Sequence, residues 1–225
     1  MTVSYYKKSK IFALAVFVAC LFHVSGYIGM QTASRNWFIS MTPLTLTLMA
    51  VLLFFTDTHR DRRFYLFFLL CFVTGYLSEL IGINTGLLFG NYTYGSAMGV
   101  KIAGVPLMIG IQWFVTVYCA GQLTKYILNK TTWLTGKSAW PPITLAAIGG
   151  GLTTLYDYLL EPAAIRLGYW TWLPDGVVPF YNYVCWYLIS SFLLFCFFFR
   201  ENKNEKINAF ALILMLIQAI FFILQ

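Results

Sequence analysis

Seven apolar runs limit what this chain can become. They fall at roughly 11–30, 38–56, 64–83, 104–128, 142–160, 179–199 and 207–224, each close to the ~20 residues that a helix needs to cross a bilayer. The sequence therefore predicts an all-α, polytopic integral membrane bundle of about seven transmembrane helices, forming one transmembrane domain over residues 1–225. Composition agrees: 60% of residues are hydrophobic and 10% charged, against about a quarter charged in a soluble domain. The first run follows Lys7, Lys8 and Lys10 as a signal peptide's would, but it is too long for such a segment and reads as a helix. The second run, with Pro43 and four Thr, is the least hydrophobic.

The net charge of +7 does not indicate a nucleic-acid partner, because the basic residues fall in short segments between the runs. Lys7, Lys8, Lys10, Arg60, Arg62, Arg63, Lys125, Lys130, Lys137, Arg200, Lys203 and Lys206 occupy one side. Arg35, Lys101 and Arg166 occupy the other. The excess of basic residues on the cytoplasmic side then predicts N-in, C-out in the cell's inner membrane. The five cysteines lie within apolar runs, without CxxC or a Cys/His cluster, so they read as small packing residues.

Two long segments, 84–103 and 161–178, fall on the non-cytoplasmic side and are rich in glycine and aromatics. An aromatic belt at the membrane interface accounts for several of the rings. It does not account for Gly90, Gly95, Gly99 and Gly104, whose density suggests tight turns or close backbone approach.

Of the eight acidic residues, Asp57, Asp61, Glu201 and Glu205 stand beside basic residues and Asp175 stands in an outer segment; all five read as solvated surface. The other three do not. Glu79, Asp157 and Glu161 lie within or at the end of apolar runs, where an ionisable group costs ~2.5–3.5 kcal/mol even on a lenient insertion scale. Such a residue can simply cap a neighbour or pair with a buried cation, but Lys and Arg are absent from the apolar cores. Glu79 and Asp157 each stand fifteen residues into their runs, a rise of ~22 Å that puts them at one level. Asp157 and Glu161 share a helix face with Thr153 and Gly150. Pro162 predicts that this helix ends at Glu161, where water could reach it. Gly149, Gly150 and Gly151 should let a second helix approach closely. Asn84, Gln112 and Asn182 are expected near the same depth, with Trp113, Tyr156 and Trp186 as further candidates to contact a substrate and Trp170, Trp172 and Tyr158 as available rings. His23 reads as an interhelical hydrogen bonder.

Desolvation and mutual repulsion keep three such carboxyls from all being ionised at once. A neutral acid beside a carboxylate can perform general acid–base catalysis. It can equally serve a proton-coupled transporter. Glu79 or Asp157 is expected to hold the transferable proton, with the other ionised and Glu161 exchanging protons with water.

The stretch ELIGINTGLLFGNYTY, continuing into GSAMGVKIAGVPLMIGIQW, and the stretch YDYLLEPAAIRLGYWTW, continuing into VPFYNYVCWY, resemble the two signatures of the membrane carotenoid biosynthesis family. That family includes carotenoid hydratases acting on acyclic ends. The resemblance covers about half the chain and carries over Glu79, Asn84, Asp157, Glu161 and Asn182. It implies addition of water to the terminal C=C of an acyclic (ψ) end group, with Glu79, Asp157 and Glu161 catalytic and no cofactor required. A membrane-dissolved carotenoid would be the substrate, and other carotenoid biosynthesis enzymes would be partners. Within the enzyme class the rival is a lycopene-type cyclase, which uses the same protonation in a dry pocket. Outside it the rival is a small proton-coupled transporter or lipid-binding protein. Helix seven has no Lys for a retinal Schiff base, and no HExxH indicates a zinc protease.

Overall fold

The computed structural model describes residues 2–135, 140–199 and 206–225. Lys137, Arg200, Glu201, Lys203 and Glu205, on which part of the charge asymmetry rests, lie outside the described residues.

The chain is mostly helical. In order come α1 (Thr2–Met30), α2 (Arg35–Ser40), α3 (Thr42–Thr56), α4 (Arg62–Thr85), β1 (Tyr92–Tyr94), a 3-10 turn (Ser96–Met98), β2 (Lys101–Ile102), β3 (Val105–Pro106), α5 (Met108–Thr135), α6 (Pro142–Arg166), β4 (Trp170–Trp172), α7 (Phe180–Phe199) and α8 (Ala209–Leu224). Among the described residues, four helices are long and apolar enough to cross a membrane: α1 over Lys10–Met30, α4, α6 and α7. The apolar helices α3 and α8 are shorter.

The second apolar run is broken rather than continuous. Pro43 occupies the first turn of α3, where its missing N–H is not needed, and α2 stops before it. Asp61 starts α4, its carboxylate accepting from the N–H groups of Arg63 (3.0 Å) and Phe64 (3.1 Å). Gly86 ends it with φ +69°, a conformation that costs a side-chain-bearing residue.

Pro162 does not end α6. The helix continues to Arg166, so the expected break at Glu161 is overturned and the second connecting segment is shorter than 161–178. Buried Ala163 and Ala164 hold the added turn in the core, and the Leu167 N–H closes it on the Ala163 carbonyl at 2.9 Å. Packing has overridden the local bias against a helical residue before proline.

α5 is the central post, with Trp113, Phe114, Val115, Val117, Tyr118, Cys119 and Ala120 all buried. α3, α4, α6, α7 and α8 pack around it. The predicted close approach at the triple glycine occurs at two of the three positions. A Cβ on Gly149 would lie 2.7 Å from Leu194 Cδ1 of α7, and one on Gly150 would strike Ser191, whereas Gly151 faces open space. Outward stripes are apolar: Leu14, Phe17, Leu21, Val24 and Ile28 on α1, and Leu66, Leu69, Val73, Leu77 and Ile81 on α4, are all exposed. Spacing of three and four residues puts each set on one helix face. An apolar face turned outward is the inverse of a soluble helix and suits a protein dissolved in lipid.

Asp57 is not solvated surface. It is buried, with Oδ1 accepting from the His59 N–H at 2.5 Å and Oδ2 from the Tyr118 hydroxyl. Lys125 is buried too. Asp61 and Asp175 are exposed, as read from the sequence.

Candidate active site

Two three-residue strands close one end of the bundle. β1 and β4 pair antiparallel, with Tyr92 opposite Trp172, Thr93 opposite Thr171 and Tyr94 opposite Trp170. Alternation along a strand sends Thr93 and Thr171 outward and turns the four rings to the other face. So small a sheet is marginal alone. It is held by its inward rings, with Tyr92 and Trp172 centred 4.9 Å apart, and by the close approach of Gly95 to the Gly168 carbonyl, where any side chain would collide.

Those rings carry hydrogen-bond donors, and the donors converge on two glutamates. Glu79 of α4 accepts at Oε2 from Tyr92 and Tyr94 (2.8 Å for the latter) and at Oε1 from the indole N–H of Trp113 (3.2 Å). Gly75, one turn before Glu79, makes room for that indole, since a Cβ there would occupy the ring's position. Glu161 of α6 accepts at Oε2 from Trp170 (2.9 Å) and Trp172 (3.0 Å) and at Oε1 from Asn182 Nδ2 (3.5 Å). Burial first, and the Glu79 charge next, push the Tyr92 and Tyr94 phenols well above their usual range. Both stay O–H donors at any physiological pH.

Asp157 is supplied differently. Its Oδ2 accepts from Asn182 Nδ2 at 2.8 Å, while Oδ1 is buried with no partner. Of the six oxygens on the three acids, it is the one without a hydrogen bond.

All three acids line one cavity of about 520 Å³, within the range of small-molecule sites. Gln112, Trp113, Asn182 and Trp186 line it as well. Trp113 and Trp186 are stacked, with centroids 4.0 Å apart and planes 9° apart. Asn84 is exposed and away from the cavity, its amide donating to the Leu80 (2.8 Å) and Ala103 (3.4 Å) carbonyls. Tyr156 stands behind the wall, donating to Gln218 Oε1 at 3.3 Å, and Gln218 itself lines the space. Tyr158 points outward. His23 lines the cavity from α1, with Nδ1 donating to the Ala19 carbonyl at 2.7 Å. Glu161 is 2% exposed, against 1% for Asp157 and 5% for Glu79, so it is not the water-reached acid at a helix end that Pro162 suggested.

The sequence reading missed Tyr92 and Tyr94, and it took Trp170 and Trp172 for ring faces rather than N–H donors. The signal was present in YTY and WTW, where two bulky rings at i and i+2 mark one face of a strand.

The carotenoid biosynthesis protein family model matches residues 38–225, a span that includes the three acids and every side chain that donates a hydrogen bond to them. The chain belongs to that family. It is also 30% identical over 146 residues to the bisanhydrobacterioruberin hydratase of Haloarcula japonica, an alignment covering 64% of this chain and 47% of that relative's length. The chain therefore spans about half of the curated relative it matches. No solved structure matches it.

Proposed function

We propose that the chain is a carotenoid hydratase that adds water to the terminal C=C of an acyclic end group, working as one transmembrane domain with its N-terminus cytoplasmic. The observation that carries this reading is the unequal donor supply around one cavity. Glu79 and Glu161 each accept three hydrogen bonds, whereas Asp157 accepts one and has a free oxygen. Donors aimed at a carboxylate favour its charged form, and a desolvated carboxyl without them keeps its proton. Asp157 is thus the acid, and the two glutamates are the anions.

The reaction then follows without a redox step. The Asp157 proton adds to C-2 of the alkene, the π electrons form the new C–H bond, and C-1 becomes a tertiary cation. The stacked Trp113 and Trp186 offer π faces to that charge, and the fixed anions Glu79 and Glu161 stabilise it electrostatically. Water attacks C-1 and releases one proton to the Asp157 carboxylate, which restores the acid. The sum is H and OH added across one double bond. The hydratase relative supports the same reaction class.

Co-expression with carotenogenic enzymes in a pigment-producing host, followed by mass spectrometry, tests the reading. A tertiary alcohol heavier than the precursor by one water is the expected product. A cyclic product of unchanged mass would make the chain a cyclase, and unaltered pigment would leave it a binding or transport protein.

A further inference from the structure

The chemistry above uses only part of the cavity wall. The acids, their donors and the stacked indoles come from α4 to α7 and the strands, while most of the remaining wall comes from α1, α2, α3 and α8. That remaining wall is not sealed. Leu21, Trp37 and Leu44 line the cavity, yet they are 49%, 58% and 55% exposed on the outer surface. Ser25, one turn beyond Leu21 on α1, is likewise both lining and exposed. A side chain can do both only at a mouth. Leu21 also belongs to the outward apolar stripe of α1, so the mouth opens on the lipid-facing side rather than through the loops.

We propose that this mouth, between α1 and α3, is a lateral portal into the bilayer. It holds the shaft of a long acyclic isoprenoid whose one end reaches the acids while the rest stays in hydrocarbon. This rests on the hydratase reading only for what happens at the acid end. Two observations favour a long apolar occupant over a small solute. The cavity of about 520 Å³ suits the end of a full-length carotenoid but not its whole length. The same wall carries Phe38, Phe221 and Phe222, apolar rings that would cost a polar solute its hydration. A polyene already in lipid pays no such cost. The far end of the substrate then touches nothing in the protein, so acyclic carotenoids that differ only there are equivalent substrates.

The test uses the full chain in lipid nanodiscs, with Ser25→Trp and Thr45→Trp to fill the portal and Ile143→Trp as a control on an exposed, non-lining position. Two probes share the terminal alkene: lycopene, whose binding is read from its polyene absorbance, and geranylacetone, short enough to sit wholly inside. The portal variants should weaken lycopene binding and turnover by about tenfold or more and reduce geranylacetone turnover far less, while the control stays at the wild-type level with both probes. Equal loss of both probes, or unchanged lycopene binding, would overturn the portal. Ser25→Cys in a Cys20→Ser background, blocked by an apolar thiosulfonate and restored by reductant, gives the same comparison without a bulky side chain during folding. Lycopene binding without hydration in the wild type would reject the hydratase reading and leave the portal standing.

Discussion

The molecule buries two polar clusters of similar make-up at opposite ends, and they differ in one respect. Asp57 at the end of α3 is bonded at both oxygens, by His59 and Tyr118. Around it Asn208 Nδ2 reaches Tyr118 (3.3 Å) and Thr56 (3.2 Å), and the Asn208 N–H reaches Gln122 Oε1 (3.0 Å). Glu79 lies seventeen residues beyond Arg62 along α4, roughly 25 Å away, in the cluster where Asp157 keeps a free oxygen. A closed network ties helices together and leaves nothing to react. An open oxygen on a cavity wall is a group kept for something else.

That contrast predicts opposite outcomes for isosteric changes. Asp157→Asn should be the most damaging to activity and the least to folding. The new amide can keep its carbonyl on Asn182 and turn its NH₂ into the open position, yet it has no proton to give. Loss of a well-placed acid costs typically ~10²–10⁴-fold in rate, to be read as hydrated product at matched expression. Glu79→Gln should follow, since one end of the amide must present N–H to donors. Near-normal product from Asp157→Asn would make that residue a structural hydrogen bonder and remove the distinction between the clusters.

Tyr118→Phe addresses the closed cluster. It removes a donor from buried Asp57 and an acceptor from Asn208. An unsatisfied buried group costs ~1–3 kcal/mol, so the thermal unfolding midpoint in detergent should fall while turnover per folded molecule holds. A drop in turnover at unchanged stability would instead mean that the far cluster takes part in the reaction.

The sequence made the acids of the open cluster legible because a carboxyl in an apolar run stands out against its neighbours. It hid their partners. Tyr92 and Tyr94 meet Trp170 and Trp172 only when two distant strands pair, and an aromatic run beside a membrane helix has a ready explanation as an interfacial belt. Asp57 was misread for the opposite reason. Its sequence neighbours include Arg60, Arg62 and Arg63, which suggest a solvated turn, and nothing local announces Tyr118 or Asn208. Helix positions followed from the apolar runs; α1 and α5 extend past their runs, to Thr2 and Thr135, and two further misplaced boundaries are at prolines. Pro43 split a run that composition joined, while Pro162 was carried through by packing that no local rule contains.

Asp61 gives the smallest effect and isolates what an acid does outside both buried networks. It is exposed, and its carboxylate only caps the first turn of α4. Removing a cap costs typically ~1 kcal/mol, so Asp61→Ala should lower the unfolding midpoint slightly, by less than Tyr118→Phe. Asp61→Asn should be nearly silent, because asparagine caps about as well as aspartate and the charge is screened by solvent. Asp57→Asn should not be silent, since the new NH₂ would face either the His59 N–H or the Tyr118 hydroxyl, both donors toward the present carboxylate. Equal midpoints for Asp57→Asn and Asp61→Asn would show that burial and closure at Asp57 contribute nothing beyond a surface cap.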